Sequence, residues 1–435
     1  MKAGADLAAW DAIVVGAGAA GLATAIFAAR ASSALRVLVL DGARHVGAKI
    51  LVSGGSRCNV TNRMVTEHDF WGGSPRVVRN VLRAFPAERA VAFFEDLGVA
   101  LHEEEDGKLF PDTNRSRTVL EALLAAAARS RVVIRPGARV AAVTRESADA
   151  AFIVSLATGE TLHARTVVLA TGGRSLPKTG SDGAGYTLAR ALGHGLIETT
   201  PGLAPLVLDG RRHIGLAGRS HPATLALRVH GTTTTSLTGP LLWTHFGISG
   251  PAALDMSRHW HRAVFEAGRE GGATDSPAVG VSVNVCPGET YESIDRWLLQ
   301  QEHDRPRAQM ATVLSTRLPA TVAEVWLADA GIAVDTTPAH LTRPQRRALI
   351  ARLIDTPLQV RDSRGYNYAE VTAGGVPLDE VDWRTMGSRV CPGLHLVGEI
   401  LDVDGRLGGF NFQWAWSSAW LAGQAVARAR VATES

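Results

Sequence analysis

Uninterrupted apolar runs and helix-period stretches alternate at both ends of the chain, and short alternating strands fill its middle. Asp11-Ala-Ile-Val-Val15 stops at a Gly-rich turn, and an Ala-rich helical stretch follows over 21–31. A second run, Arg36-Val-Leu-Val-Leu40, closes on Asp41. Strand, helix and strand within about 35 residues make a βαβ unit of a parallel sheet. Val78, Val81, Leu82, Phe85, Ala90, Phe93, Phe94 and Leu97 keep a helical period, so the spacing predicts helix across 74–98. Residues 101–111 read as a hairpin turning at Gly107, and 115–129 as a helix. Strands are predicted at 132–134, 138–143, 152–156 and 166–170, and a helix at 182–192.

Beyond residue 195 the texture changes. Ala223-Thr-Leu-Ala-Leu-Arg-Val229 and Gly280-Val-Ser-Val-Asn-Val285 alternate as strands of a separate β-rich domain. Residues 288–355 are helical and charged. A strand near 358–361 returns to the β-rich domain and one near 368–372 leads out of it. An apolar run over 390–398 ends at Gly398, and a long helix is predicted over 409–431. The expected fold class is therefore α/β, with a Rossmann-type domain in two parts (1–195 and 373–435). The β-rich insertion (196–287, return strands 356–372) and a helical subdomain (288–355) separate those parts.

Composition narrows the function classes. With 46% hydrophobic and 20% charged residues, disorder, collagen and coiled coil are excluded. The 45 basic against 42 acidic residues leave a net charge of +3, too small to indicate a nucleic-acid protein by itself. Three cysteines, Cys58, Cys286 and Cys391, make neither a disulfide framework nor a zinc site. The 14 histidines form no metal-binding pattern on a helix, and G-x-S-x-G is missing, so no metal is expected. The chain has no apolar run long enough to span a membrane and no signal-like N-terminus. A cytoplasmic protein is expected, and no feature marks an obligate protein partner.

Gly16-Ala-Gly18-Ala19-Ala20-Gly21 matches G-x-G-x-x-G between a strand and a helix, the context a dinucleotide site requires. Gly16 permits the turn, Gly18 the approach of a pyrophosphate, and Gly21 close helix–strand packing. Ala19 and Ala20 open the helix, whose free N–H groups face the phosphates. Asp41, followed by Gly42, closes the second strand and suits a ribose hydroxyl.

Four features favour FAD over NAD. A Gly-rich loop over 47–62 carries Lys49, Ser53, Gly54, Gly55, Arg57, Cys58 and Asn59, and a plain NAD site needs no such loop. Lys49 and Arg57 could meet phosphates or a reduced, anionic flavin. Val140 sits where a strand would offer its backbone to the adenine edge. Ala170-Thr171-Gly172-Gly173 makes a second approach to the dinucleotide. Gly398, Glu399, Asp402, Gly408, Gly409, Asn411 and Phe412 lead into the last helix, whose N-terminus favours negative charge on a flavin. The 372–376 segment brings Gly374 back towards the same site.

The strings VVGAGAAGLATA, KILVSGGSRCNVTN, LATGGRSLPKTGSDGAGY, LTHFGISGP and VGEILDVDGRLGGFNFQWAWSSA resemble the bacterial NAD(P)/FAD-dependent oxidoreductases called BaiN-like or YhiN-like, also labelled the aminoacetone oxidase family. The resemblance spans nearly the whole chain. It implies a discontinuous FAD domain, a β-barrel-like domain and a small helical domain. It also implies reduction of a carbon–carbon double bond, in a bile-acid intermediate or in a uracil base of large-subunit ribosomal RNA, giving dihydrouridine.

No second G-x-G-x-x-G is present, so NAD(P)H would dock transiently as reductant. Reduction of a double bond also needs a proton donor. Cys58, in the Gly-rich loop, is one candidate, although a buried cysteine is also an ordinary small hydrophobe. His245, in a Gly- and Pro-flanked turn, and Tyr366, with Tyr368 beside it, are the others. Arg211-Arg212-His213 and Arg343, Arg346, Arg347 and Arg352 could make a basic face for an RNA substrate, or be ordinary solvated charges. The competing readings are an oxidase of a small amine, a binding protein with structural FAD, and a plain NAD-dependent dehydrogenase.

Overall fold

The computed structural model describes residues 10–147, 150–269 and 279–434, which places the N-terminal stretch 1–9 outside the described residues. The chain divides into two compact units. Residues 1–200 and 370–435 form the first, and residues 201–369 the second.

The first unit is built on a parallel sheet. β1 (Trp10–Val15) lies between β2 (Val37–Leu40) and the long strand Thr161–Leu169, with Val15 opposite Leu40 on one side and Leu169 on the other. Strand Val133–Arg135 extends the sheet beyond β2, and Leu394–Leu396 pairs in parallel with Thr161–Leu169. All of β2 is buried, as expected of strands covered on both faces. Because β1, Thr161–Leu169 and Leu394–Leu396 are parallel neighbours, their following turns emerge at one end of the sheet. Chain connections also diverge there, which is where doubly wound sheets bind ligands.

Helix α1 (Ala19–Ala31) is apolar nearly all round, with Ala20 to Ala29 buried. It packs against the final helix Phe410–Glu434 so closely that a Cβ at Gly423 would lie 2.7 Å from that of Phe27. Residues 74–98 form two helices, Pro75–Ala84 and Ala87–Asp96, because Pro86 cannot continue the first. The predicted loop 47–62 begins as helix α2 (Ala48–Ser56), which breaks at Ser53, Gly54 and Gly55.

The second unit is a seven-stranded sheet, ordered from Thr356–Leu358 through Val279–Asn284, Ser220–Val229, Thr232–Thr244, Gly247–Ser249 and Leu206–Leu208 to Val360–Ser363. The first and last strands of that path are consecutive in the chain, separated only by Gln359. The two edges are thus one continuous segment, and the sheet closes on itself. The texture over 196–287 does not reveal helix Pro251–Arg269, which packs Ala252, Ala253, Met256 and Trp260 into the barrel's core. Its sequence, with two His, Asp and three Arg among the apolar positions, reads as loop when only alternation is followed. The strand expected at 368–372 is instead Val371–Gly375, and it belongs to the first unit. Helices Tyr291–Asp304, Met310–Leu314, Ala320–Asp329 and Arg343–Ile354 fill out the second unit.

Burial holds His259 and His261 neutral, pushing each from 6.5 down to about 4. A histidine depressed on folding stabilises fully above its unfolded value. That stability is lost as pH falls towards the folded value, because the unfolded chain takes the proton first. The melting temperature is therefore expected to drop between pH 6.5 and about 4. His261→Gln should flatten that drop, and a wild-type melt that stays level across the window would contradict it.

Candidate functional site

The turns at the C-terminal ends of the three parallel strands build the site. After β1, Gly16 takes a φ of +107°, and a Cβ there would lie 2.4 Å from the Ala170 carbonyl oxygen. A Cβ at Gly21 would lie 1.9 Å from the Gly16 carbonyl oxygen. A Cβ at Gly18, at the N-cap of α1, would meet nothing within 4 Å. The fingerprint is thus closed where strand and helix pack and open where a pyrophosphate would lie. Asp41 ties the turn together, accepting from Ala17 N at 2.7 Å and Ala43 N at 2.8 Å. Each carboxylate oxygen keeps acceptor capacity. Gly42 packs on Arg139, which pairs with Asp182 at 2.7 Å, and Val140 is buried where its strand begins.

A polar cluster lies beyond these turns. Glu399 accepts from Lys49 Nζ at 2.5 Å, Ser175 Oγ at 2.6 Å and Thr372 N at 2.9 Å. Lys49 also reaches Ser175 Oγ. The Thr372 hydroxyl accepts from the amides of Arg174 and Ser175 at 2.8 and 3.1 Å. Segments far apart in sequence are therefore held by one ion pair and its hydrogen bonds. Ser175 and Thr372 carry much of this, and sequence reading missed their side chains. The only signal was their place beside Gly172-Gly173 and Gly374-Gly375.

The 53–62 loop and the last helix meet at a second cluster. Gly54, Gly55, Ser56 and Cys58 all have left-handed backbone. A Cβ at Gly409 would fall 2.5 Å from the Thr61 carbonyl group and 2.8 Å from Asn59 Oδ1. Asn62 donates to the Gly408 carbonyl at 3.1 Å, and Asn411 exchanges two hydrogen bonds with the Gly405 backbone. Trp416 donates to the Val60 carbonyl and Trp414 to that of Gly398. These tryptophans pin site loops as well as filling the core. Phe412 stacks on Trp416, with centroids 5.5 Å apart. Gly398 rests on Ala20, and Asp402 links by its backbone to Val376 and Gly73.

The other candidates are dispersed. Arg57 pairs with Glu104 at 2.6 Å and covers the Phe110 ring. Cys58 is fully buried, and burial pushes its thiol up to about 12. His245, exposed in the turn before Gly247–Ser249, and half-buried Tyr366 both belong to the second unit. Arg212 pairs with Asp329 and His213 is buried, so 211–213 is not a row of exposed charges. Arg346 pairs with Asp295 at 2.7 Å, while Arg343, Arg347 and Arg352 are exposed. Among the described residues no group of side chains could hold a metal ion, and no helix is long and apolar enough to cross a membrane.

The residues fit FAD. Asn59 Oδ1 and Thr171 Oγ1 are buried polar atoms without partners, one at each of the two Gly-rich approaches. Buried polar atoms of this kind are rare unless a ligand or water satisfies them.

Comparison with known proteins agrees. The chain is 34% identical over 424 residues to "Ribosomal RNA dihydrouridine synthase" of Escherichia coli K12, covering 97% of this chain and 99% of that one. It is 33% identical over 414 residues to "3-dehydro-bile acid delta(4,6)-reductase" of Clostridium scindens, covering 95% and 98%. Among solved structures, a 3-ketosteroid-delta4-(5alpha)-dehydrogenase from Rhodococcus jostii RHA1 superposes with a TM-score of 0.51 at 15% identity, covering 98% of this chain and 99% of that one. At that identity the likeness concerns the fold. Residues 10–425 match the HI0933-like protein Rossmann domain, and with these full-length relatives the chain belongs to the HI0933-like family of Rossmann-type, FAD-binding oxidoreductases.

Proposed function

We propose that this protein is a cytoplasmic FAD-dependent reductase of an activated carbon–carbon double bond, that NAD(P)H supplies the hydride, and that the substrate is a uracil base of ribosomal RNA. The observation that carries the reductase reading is the convergence of the three strand-end turns with the Lys49–Glu399 pair and the Gly408–Gly409 helix start. In this reading the turn 16–21 and the N-terminus of α1 hold the pyrophosphate, Asp41 a ribose, and Val140 the adenine edge. Thr171, Gly172 and Gly173 line the dinucleotide, while Asn59 and the start of the last helix face the flavin ring. Bound there, FAD supplies reversible hydride chemistry. Lys49 places a fixed positive charge in the cluster, which would favour a reduced, anionic ring. Two observations support the RNA substrate over a steroid enone: the name of the E. coli relative, and the exposed Arg343 and Arg347 one turn apart on helix Arg343–Ile354. Cys58 serves as packing beneath the loop. His245 and Tyr366 are candidate proton donors carried by the second unit.

Anaerobic rapid mixing tests the reading. NADH or NADPH is expected to bleach the flavin, and an unmodified ribosomal RNA transcript to restore its colour faster than air does. Recovery with a 3-oxo-4-ene steroid and not with RNA would move the substrate to a small enone. No bleaching by either nicotinamide would reject the NAD(P)H half-reaction, and peroxide formed with an amine donor would favour the oxidase.

A further inference from the structure

Lys49 is held at both ends. Its backbone lies in the first turn of α2, where a Cβ at Gly47 would lie 2.4 Å from Leu120 Cδ1 and Ser116 Oγ donates to the Leu51 carbonyl at 2.8 Å. Its ammonium lies 2.5 Å from both Glu399 Oε2 and Ser175 Oγ, which follow the turns after Leu394–Leu396 and Thr161–Leu169. An ammonium has three N–H donors and no acceptor. The Ser175 oxygen therefore accepts from Lys49, and its own proton goes to Glu399 Oε1 at 2.6 Å. Ser175 is fully buried, and the Thr372 hydroxyl clamps its amide together with that of Arg174. Two N–H bonds of a tetrahedral nitrogen are thus fixed, and with the bond to Cε they set the direction of the third. Among the described residues no acceptor takes that third N–H, and the Lys49 side chain is partly exposed. An ordinary surface lysine has a flexible stem and rotatable donors. Lys49 is instead a donor of set direction where the strand-end turns converge. The Lys49–Glu399 pair is neutral as a whole, and its carboxylate would repel a pyrophosphate. An uncharged acceptor, a carbonyl oxygen or a ring nitrogen, suits it better.

We propose that Ser175 is a positioning residue, which with Glu399 aims the third N–H of Lys49 at an acceptor on the isoalloxazine ring of FAD and so raises the flavin's midpoint potential. The proposal rests on the reading that places the flavin ring beside Lys49. A ring that has gained electrons is the stronger acceptor, so a directed N–H stabilises the reduced form more than the oxidised one. Ser175 acts through Lys49 alone. Without its hydroxyl the positive charge stays, because Glu399 still holds it, but the ammonium can turn about the Cε–Nζ bond.

Redox titration of the holoenzyme at saturating FAD tests this. Ser175→Ala should hold reduced flavin, relative to oxidised, about tenfold less tightly than wild type does, which lowers the midpoint potential by ~30 mV for a two-electron couple. Lys49→Met should lower it further. Adding Ser175→Ala to Lys49→Met should then change it no more, because no ammonium is left to aim. A purely structural role for Ser175 would lower the melting temperature and leave the potential unmoved. A change below about threefold in Ser175→Ala, or an equal fall in the Lys49→Met background, would overturn the assignment. So would a loss of FAD affinity that is the same for both oxidation states, the result expected of a contact with the phosphates. A potential that Lys49→Met itself leaves unmoved would remove the flavin ring from beside Lys49 and this proposal with it, while the reductase reading stands or falls on the acceptor experiment.

Discussion

Gly21→Ala is expected to yield a protein that retains almost no FAD and melts well below wild type. The added methyl would sit 1.9 Å from the Gly16 carbonyl oxygen, so α1 must move off β1. Overpacking of this kind costs about 1–3 kcal/mol, occasionally more. Gly18→Ala is the informative control. Its φ of −83° suits alanine, and the new Cβ meets no protein atom. That variant should melt like the wild-type apoprotein and still bind FAD more weakly, because the methyl occupies the space left for the pyrophosphate. Flavin content after gel filtration and melting of the apoproteins measure the two effects separately. Equal FAD retention by Gly18→Ala and wild type would place the dinucleotide elsewhere.

The second large effect is expected at Lys49. Lys49→Met leaves Glu399 with Ser175 and Thr372 as donors but without a cation. The pair is mostly buried, with side chains 26% and 18% exposed. The expected loss is about 2 kcal/mol, below the ~3–5 of a completely enclosed pair. Glu399→Gln in the same background should recover part of it, since the uncompensated charge is then removed, and a double-mutant cycle isolates the coupling. If the flavin lies beside Lys49, Lys49→Met should also lower its midpoint potential, because the reduced, negative ring loses its nearest fixed charge. A cycle with no coupling would mean that the pair does not hold the cluster together.

The sheet and its nucleotide turn were legible because their signals are local. An apolar run, three glycines at fixed spacing and an acid at the next strand end leave few alternatives, and the strands formed there. The dispersed positions were also readable as glycine-rich strings, because close backbone approach excludes every other side chain at sites such as Gly16 and Gly409. What was not legible depends on pairing over long distances. Glu399 could be read as an acid near the cofactor, but not as the partner of Lys49, 350 residues away. Thr372 and Ser175 have no pattern of their own. In the second unit, helix Pro251–Arg269 escaped because its polar residues interrupt the apolar face and the strands around it set the expectation.

The division of the first unit into two stretches of chain also governs how the protein is made. Its central sheet lacks Leu394–Leu396, and α1 lacks its covering helix Phe410–Glu434, until the end of the chain has left the ribosome. Residues 201–369, by contrast, are contiguous and finished earlier. Domains fold as units during synthesis. The inserted unit is therefore the first to be completed, although it begins second, and the nascent N-terminal segment must wait with the apolar flank of α1 uncovered. A truncation that removes the last helix should accordingly leave a well-folded inserted unit attached to an aggregation-prone remainder.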